Sequence, residues 1–443
     1  MALDRDPRPY AAQGRAGIWL DAERWRAVAS KRTACNKHTQ GEGRLDMRMI
    51  KPEGSTDSGR TVLIVCIAHF MSHCYLMLLP PVFLLMAPHY GVGFTQLGLA
   101  LTIFSLTTTL SQPPVGRMVD RIGAREILAG GLILGGLSFV MIGLAKSYVA
   151  LLALMALAGL ANSAYHPADY AILGRCVSPG NMGKAFSVHT FAGFLGGAVT
   201  PIVMTMAATL WSWQAGVVAA GIVGVLIGAF IPLIPRMPVM AGAEEKGEAP
   251  VKVRVNATIV SLTIFFFLVS LSTSGIQSFS VAALTTGWGI SLADANTKLT
   301  IFLVAMSAGV LAGGMLADRS AHHETIAAIC FGFAGIATLL MVVPFVNSHA
   351  LSIVFGMAGF LVGVVMPSRD MMVHRAATPA TTGSVFGIVM TGLNAGGIVA
   401  PPMFGLLVDH NVHAGIFVLS AGAMMLTALL ALSQTSGSRP QRK

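Results

Sequence analysis

The chain has 443 residues, of which 54% are hydrophobic and 11% charged, and its net charge is +10 at pH 7. Soluble domains contain roughly 25% charged residues, so this chain holds too few to cover a water-facing surface. The composition therefore excludes folding in water. The apolar stretches after residue 60 are each about 20 residues long, which is enough to cross a ~30 Å hydrocarbon layer as a helix.

The first sixty residues differ from the rest, because they hold twelve of the 29 Lys and Arg residues. They lack the apolar core of a cleavable signal peptide before Thr61. We expect residues 1–60 to be a disordered cytoplasmic tail. Alternatively they are an over-extended start, with Met47 or Met49 as the initiator.

Apolar runs bounded by charged or turn residues predict an all-α integral membrane protein with twelve transmembrane helices. The predicted spans are 61–86, 94–115, 126–145, 149–171, 185–207, 213–234, 257–283, 298–316, 324–345, 350–368, 384–407 and 413–433. The polar segment 236–256 is expected to be a cytoplasmic linker. It separates a six-helix bundle at 61–235 from a second one at 257–434, and a short cytoplasmic tail is expected at 435–443.

The basic residues predict the orientation. If the N-terminus is cytoplasmic, the loops on its side hold Arg117, Arg121, Arg125, Arg175, Lys184, Arg236, Lys246, Lys252, Arg254, Arg319, Arg369, Arg375, Arg439, Arg442 and Lys443. The opposite side holds Lys146 and Lys298. This asymmetry follows the positive-inside rule, so both termini are predicted to be cytoplasmic in a cytoplasmic (inner) membrane. It also accounts for the positive charge without a nucleic-acid partner.

The two halves repeat each other. Pro167 and Pro367 are 200 residues apart, as are Arg175 and Arg375. The same spacing relates Gly196-Gly197 to Gly396-Gly397 and Pro201 to Pro401. Earlier in each half, Gly116, Asp120 and Arg121 match Gly314, Asp318 and Arg319 at a spacing of 198. Paired halves with a binding site where they meet are a common plan among secondary transporters.

The segment after the second span, GRMVDRIGAR at residues 116–125, resembles the signature loop GxLxDRxGRR of the major facilitator superfamily. It departs from that pattern at Met118 and Ala124. The second copy continues after Arg319 as SAHH and loses the latter part of the pattern. The resemblance covers about residues 60–435. The segments YHP at 165–167 and PSRD at 367–370 also resemble the fosmidomycin-resistance-like and organic-anion branches.

This resemblance implies two six-helix bundles that rock about a central cavity open alternately to each side. It assigns a gating role to the signature segments, whose residues are Gly116, Asp120, Arg121, Gly123, Arg125, Gly314, Asp318 and Arg319. Gly116 and Gly123 are expected to permit close approach and a sharp turn. The segment then acts as a latch that holds the outward-facing conformation, or alternatively it only anchors the topology without gating.

Ionisable side chains inside the predicted spans are functional candidates, because burying them in lipid is costly. His69 and His73 share one helix face, and so do His166 and Asp169, which Tyr165 and Tyr170 flank. His189 lies one turn into the fifth span. We expect these groups to converge and to couple proton movement to solute movement through His73, His166 and Asp169. The alternative is that each histidine is neutral and bonded to a neighbouring helix.

No metal site is expected, because the sequence contains no HExxH pattern and no cysteine partner for these histidines.

Asp169 and Arg369 occupy equivalent positions in the repeat, at the predicted cytoplasmic ends of the fourth and tenth spans. This placement suggests an ion pair between the halves that closes the cytoplasmic mouth. Two alternatives remain open: Arg369 could receive an anionic solute, or it could pair with Asp370 in its own half.

In the second half, Ser270, Ser274 and Gln277 follow an i, i+4, i+7 pattern and share one face of the seventh span. Ser272 lies off that face. Asn394 interrupts the eleventh span among glycines. These groups are candidates for solute contact, or alternatively they form hydrogen bonds between helices, worth about 0.6 kcal/mol each in membranes.

The sequence predicts a secondary active transporter that moves a small anionic or weak-acid organic solute by proton-coupled alternating access. It has no Walker motif for ATP hydrolysis and no GxSxG segment for a membrane enzyme, so neither an enzymatic activity nor a cofactor is expected beyond an ion gradient. The alternatives are efflux of drugs or toxic compounds by proton antiport, and a receptor derived from a transporter. The expected partners are the lipid bilayer and the solute, with the protein a monomer.

Overall fold

The computed structural model describes residues 55–178, 181–233, 255–343, 347–378 and 381–437. Most of the predicted N-terminal tail and of the linker, together with the last six residues, lies outside these ranges. Every regular element in the described ranges is a helix. Twelve of the helical segments are long and apolar enough to cross a membrane, as the sequence predicted.

Among the described residues, the first half contains eight α-helices, and two pairs of these helices form the broken spans 1 and 4. They are α1 (Ser55–Leu76), α2 (Phe83–Tyr90), α3 (Phe94–Ile122), α4 (Ala124–Leu144), α5 (Tyr148–Asn162), α6 (Tyr165–Cys176), α7 (Met182–Leu210) and α8 (Trp213–Phe230). Short 3-10 turns lie at Pro80–Val82 and Ile231–Leu233.

In the second half each span is one helix. These are α9 (Ala257–Trp288), α10 (Leu292–Arg319), α11 (His323–Leu340), α12 (Ser348–Ala376), α13 (Thr382–Asp409) and α14 (His413–Gly437). The helix bounds show the same spacing between the two halves as the repeated residues of the sequence. The fourth span begins at Tyr148 and the tenth at Ser348, 200 residues later, while α3 and α10 begin 198 residues apart.

Two predicted spans are broken helices. The first span is interrupted between α1 and α2, where Pro80 and Pro81 begin a 3-10 turn, because proline cannot donate a backbone hydrogen bond. The fourth span is interrupted between Asn162 and Tyr165, ahead of Pro167. The sequence had predicted both spans as uninterrupted.

The halves meet through α3 against α13 and α7 against α10. Polar contacts join them near the end of the bundle that contains Asp409, which we call the Asp409 end. Thr102 Oγ1 donates to the Ile398 carbonyl at 2.6 Å, and Asn296 Nδ2 donates to the Pro81 carbonyl at 3.1 Å. The opposite end, which we call the Gly123 end, contains the signature segments. The basic residues predict that the Gly123 end is cytoplasmic.

Candidate functional site

A cavity of about 210 Å³ lies between the two halves. The first half contributes residues of α1, α3 and α5 to its wall, and the second half contributes α9 and α13. The polar side chains of the wall are uncharged: Ser105 from the first half, and Ser270, Thr273, Ser274, Ser278 and Gln277 from the second. The Tyr75 ring also lines the cavity, but its hydroxyl is buried against Gly224 of α8. The cavity can therefore offer hydrogen bonds to a small solute from both halves at once.

The structure places Ser270, Ser274 and Gln277 on this wall, as their helical spacing predicted. Ser272 is fully buried behind them and donates to the Val269 carbonyl at 2.9 Å. Asn394 is half-buried on α13, one turn before Gly397, which lines the cavity. Asn394 is not itself part of the wall.

The predicted histidine and aspartate candidates of the first half do converge. His69 of α1 stacks on His189 of α7 with ring centroids 3.8 Å apart. Asp169 of α6 contacts both rings. Its Oδ2 atom lies 3.1 Å from His189 Nε2 and 3.4 Å from His69 Nδ1. All three side chains are buried, so α1, α6 and α7 are joined by polar groups inside the membrane-spanning region.

Two further histidines extend this cluster. The rings of His73 and His166 lie 4.6 Å and 5.3 Å from the His69 ring, measured between centroids. His166 is exposed, and the half-exposed Tyr170 ring lies 5.8 Å from it. We call His69, His73, His166, Asp169 and His189 the histidine cluster. It has a buried core and an edge that solvent can reach.

Local features of the sequence make room for the histidine cluster. A Cβ atom at Gly193 of α7 would lie 2.5 Å from His69 Nε2, so only glycine lets the imidazole occupy this place. The break before Tyr165 begins α6, which carries His166 and Asp169. Tyr165 itself is buried, and its hydroxyl donates to the Gly131 carbonyl at 3.2 Å. It therefore holds α6 against α4, and its role as a solute or proton contact stays a prediction.

The proposed ion pair between Asp169 and Arg369 is not formed in this structure. Asp169 is held by imidazoles of its own half, whereas Arg369 Nε lies 3.0 Å from Asp370 Oδ1. The Arg369 guanidinium also lies 4.7 Å from the centre of the Phe266 ring. The structure thus favours the alternative in which Arg369 pairs within its own half. The buried Asp169 carboxylate pairs with the imidazoles that helix packing places next to it, and the repeat alone could not identify them.

The signature segment is more helical than expected. Helix α3 continues through Gly116, Asp120 and Arg121 and ends at Ile122. Gly123 makes the predicted sharp turn with φ of +120°, and Arg125 lies beside Glu126 at the start of α4. In the second copy, Gly314, Asp318 and Arg319 lie in α10, which ends at Arg319. The latch role of both segments stays a prediction.

Gly116 does not serve close packing, because no atom lies within 4 Å of where its Cβ would be. In this conformation the expected close approach at Gly116 is not formed, and for the conformation closed at the Gly123 end it stays a prediction. An arginine outside the signature ties this end together instead. Arg375 Nη1 of α12 donates to the Ala321 carbonyl at 2.6 Å and lies 4.0 Å from Glu324.

The sequence argument against a metal site depended on ligands spaced along one helix. In the structure, the nitrogen and oxygen atoms of His69, Asp169 and His189 come from three helices and all lie within 4.8 Å of one another. These residues could hold a metal ion. The absence of an HExxH pattern therefore says nothing about this group.

Comparison with known proteins agrees with the fold. The sequence profile of the Major Facilitator Superfamily matches residues 65–273 and 262–443. The fosmidomycin resistance protein of Escherichia coli (strain K12) is 23% identical over 373 residues, covering 82% of this chain and 90% of that protein. The membrane sensor protein UhpC of the same strain is 24% identical over 373 residues, covering 78% and 85%. The hexuronate transporter of Bacillus subtilis (strain 168) is 24% identical over 365 residues, covering 76% and 84%.

Among solved structures, a bacterial homolog of the human lysosomal transporter Spinster, in an inward-facing and unoccupied conformation, has a similar fold. Its TM-score is 0.68 at 14% identity, and the match covers 86% of this chain and 96% of that one. Twelve candidate spans, a repeat of two halves and a family profile that matches both halves lead to one assignment. This chain is a member of the Major Facilitator Superfamily.

Proposed function

We propose that this chain carries a small anionic or weak-acid organic solute across the membrane by proton-coupled alternating access. The observation that supports this most directly is the cavity between the halves, whose hydrogen-bonding groups come from both of them. A solute held there contacts two bodies that can rock against each other. At about 210 Å³ the cavity is smaller than a drug-sized pocket, which is typically ~300 Å³ or more, and so suits a small solute.

The arrangement of the halves supports alternating access. They are joined by hydrogen bonds near the Asp409 end, at Thr102 and Asn296. If the Gly123 end is cytoplasmic, as the basic residues predict, this conformation is closed toward the outside. Transport then requires these contacts to break and the Gly123 end to close.

The preference for an anion is supported by Arg369. Its guanidinium is largely buried, lies over Phe266 and has one carboxylate neighbour, Asp370. Such a group can exchange its internal partner for a carboxylate or phosphonate of the solute. Two relatives are named for organic acids: the hexuronate transporter and the probable L-galactonate transporter of Escherichia coli (strain K12).

A charge argument supports the proton as coupling ion. Moving one negative charge into a cell interior at −100 mV costs about 2.3 kcal/mol. A proton carried with the anion removes this opposition. Export is the second candidate, since one relative is named for fosmidomycin resistance. In that direction the solute and the proton would cross in opposite senses.

Proteoliposomes containing the full chain test this proposal. They are given labelled uronates, aldonates and phosphonates, with and without an imposed pH gradient, and Arg369→Gln is compared with the exposed-site control His410→Ala. We expect a pH gradient to drive accumulation of at least one acid and Arg369→Gln to lose it. Accumulation that does not change when an ionophore collapses the pH gradient rules out proton coupling. Uptake of cations or neutral solutes alone rules out the anionic substrate.

A further inference from the structure

The buried core of the histidine cluster has the dimensions of a metal site. Asp169 Oδ2 lies 3.1 Å from His189 Nε2 and 3.4 Å from His69 Nδ1. Two ligand atoms bound tetrahedrally to Zn²⁺ at about 2.0–2.1 Å lie roughly 3.3–3.4 Å from each other. The two oxygen-to-nitrogen separations are therefore close to those that one ion would impose, and all three ligand atoms lie within 4.8 Å of one another. The His69 and His189 rings are stacked, so at least one of them must turn for both nitrogens to point at the ion.

The polar groups of this core are incompletely satisfied without a ligand. His69 Nδ1 and Asp169 Oδ1 are buried, and neither has a hydrogen-bond partner among the described residues. The contact between His69 and Asp169 is short, but it lacks hydrogen-bond geometry. Buried polar atoms are nearly always paired, so an unpaired nitrogen facing an ionisable oxygen indicates that something else belongs between them.

We propose that His69, Asp169 and His189 bind a divalent transition-metal ion of the zinc class. Two imidazoles and one carboxylate favour zinc, cobalt or nickel, whereas magnesium and calcium prefer oxygen ligands throughout. Three protein ligands leave one coordination position open. His166 stands nearest the solvent-accessible edge, with its ring 5.3 Å from that of His69, and is placed to fill that position or to admit the ion.

The ion would be a resident of the first half and not the transported solute. All three ligands belong to α1, α6 and α7, and none comes from the second half. A site that must release its ligand when the halves rock would be shared between them, as the cavity is. This inference therefore does not rest on the proposed function, and binding is measurable without any transport.

The full chain, purified in detergent and stripped with a chelator, is titrated with Co²⁺ while visible absorption is recorded. Four-coordinate Co²⁺ absorbs far more strongly than the hydrated ion. We expect wild-type protein to develop these bands with one Co²⁺ per chain, and Zn²⁺ to bleach them. His189→Gln keeps a hydrogen-bond donor for Asp169 but loses the ligand, and we expect it to bind at least tenfold more weakly.

Control variants distinguish this site from other cysteine and histidine residues of the chain that could bind the ion. A Cys35→Ser, His38→Ala double variant and a His349→Ala, His410→Ala double variant should each keep wild-type affinity. Asp169→Asn serves as a second test should His189→Gln be unstable without metal, which unfolding temperature and gel filtration report. Wild type without four-coordinate bands, or equal affinity in wild type and both cluster variants, overturns the proposal and leaves the cluster as a set of imidazoles without metal.

Discussion

Asp409 of the second half binds Thr95 of the first. Its Oδ2 atom accepts hydrogen bonds from the Thr95 amide at 2.8 Å and the Thr95 hydroxyl at 2.5 Å, while Oδ1 accepts from the Phe94 amide at 2.7 Å. These are the first residues of α3, where backbone amides have no partner within the helix. The last residue of α13 thus caps α3 across the boundary between the halves.

The identity of residue 93 fits this contact. Gly93 is the N-cap of α3 and has no side chain with which to cap the helix itself. A Cβ atom there would lie 2.8 Å from both carboxylate oxygens of Asp409. In the repeat, α10 is capped by its own Ser291, so only the first-half helix relies on the other half. We infer that the Asp409 contact stabilises the conformation in which this end is closed.

Asp409→Ala should open the Asp409 end. Losing charge-assisted hydrogen bonds, each worth about 1.5–3 kcal/mol, should raise the ratio of open to closed molecules at least tenfold. Spin labels at Lys146→Cys and His349→Cys, in a background without native cysteines, report the distance across this end by double electron–electron resonance. The distance distribution of Asp409→Asn should lie between those of the wild type and Asp409→Ala, since asparagine keeps one acceptor oxygen.

His410→Ala is the matched control, because His410 is the exposed neighbour of Asp409. It should give the wild-type distance distribution. If Asp409→Ala also gives that distribution, Asp409 does not hold this end closed.

Gly193→Ala should disrupt the histidine cluster. The new methyl group would lie 2.5 Å from His69 Nε2 and 2.9 Å from His73 Cδ2, so the rings must move. Overpacking of this kind typically costs about 1–3 kcal/mol. We expect a lower unfolding temperature and weaker Co²⁺ binding. Gly183→Ala on the same helix has no atom within 4 Å and should be neutral or slightly stabilising. Equal behaviour of the two variants would contradict the packing argument.

Ser274→Ala should weaken solute binding while Ser272→Ala should not. Ser274 lines the cavity, and Ser272 is buried behind it on the same helix. One lost hydrogen bond of about 0.5–1.5 kcal/mol corresponds to a roughly two- to tenfold rise in KM. Initial rates of uptake over a range of solute concentrations measure it. A larger effect from Ser272→Ala would place the solute elsewhere.

Removing Asp294 should destabilise the protein more than removing Lys298, its partner in an ion pair. The ammonium is fully buried and contacts Asp294 Oδ1 at 2.7 Å and Ser348 Oγ at 2.8 Å, whereas Asp294 is partly exposed. Asp294→Ala leaves a buried charge without its counterion, which costs on the order of 3 kcal/mol. Lys298→Met leaves a carboxylate that water can reach. The unfolding temperature should therefore fall further for Asp294→Ala, and the reverse order would contradict this account.

Much of the fold follows from sequence because lipid imposes a simple rule on span length and loop charge. The sequence predicts the twelve spans and the 200-residue spacing of the halves. It also identifies the histidine candidates, by their position inside spans. The break at Pro80 and Pro81 was not predicted, although proline is a residue type that cannot continue a hydrogen-bonded helix.

The convergence of the histidines with Asp169 was predicted from sequence, but the individual pairings of the polar groups could not be. Asp169 meets His69 and His189 because of how three helices pack, and the repeat instead suggested Arg369. Asp409 lies just beyond the predicted eleventh span, 384–407, and its partner Thr95 lies 314 residues away in the chain. Helix periodicity identifies which residues share a face, but which helix that face meets depends on tertiary packing.

The central claim is that a solute crosses through the cavity by alternating access, and counterflow tests it most directly. Proteoliposomes loaded with an unlabelled organic acid are diluted into a trace of the labelled acid, with no pH gradient or membrane potential. We predict transient accumulation of label that is absent from empty liposomes and impaired by Ser274→Ala but not by Ser272→Ala. If none of the tested organic acids accumulates in the loaded proteoliposomes, the account is contradicted.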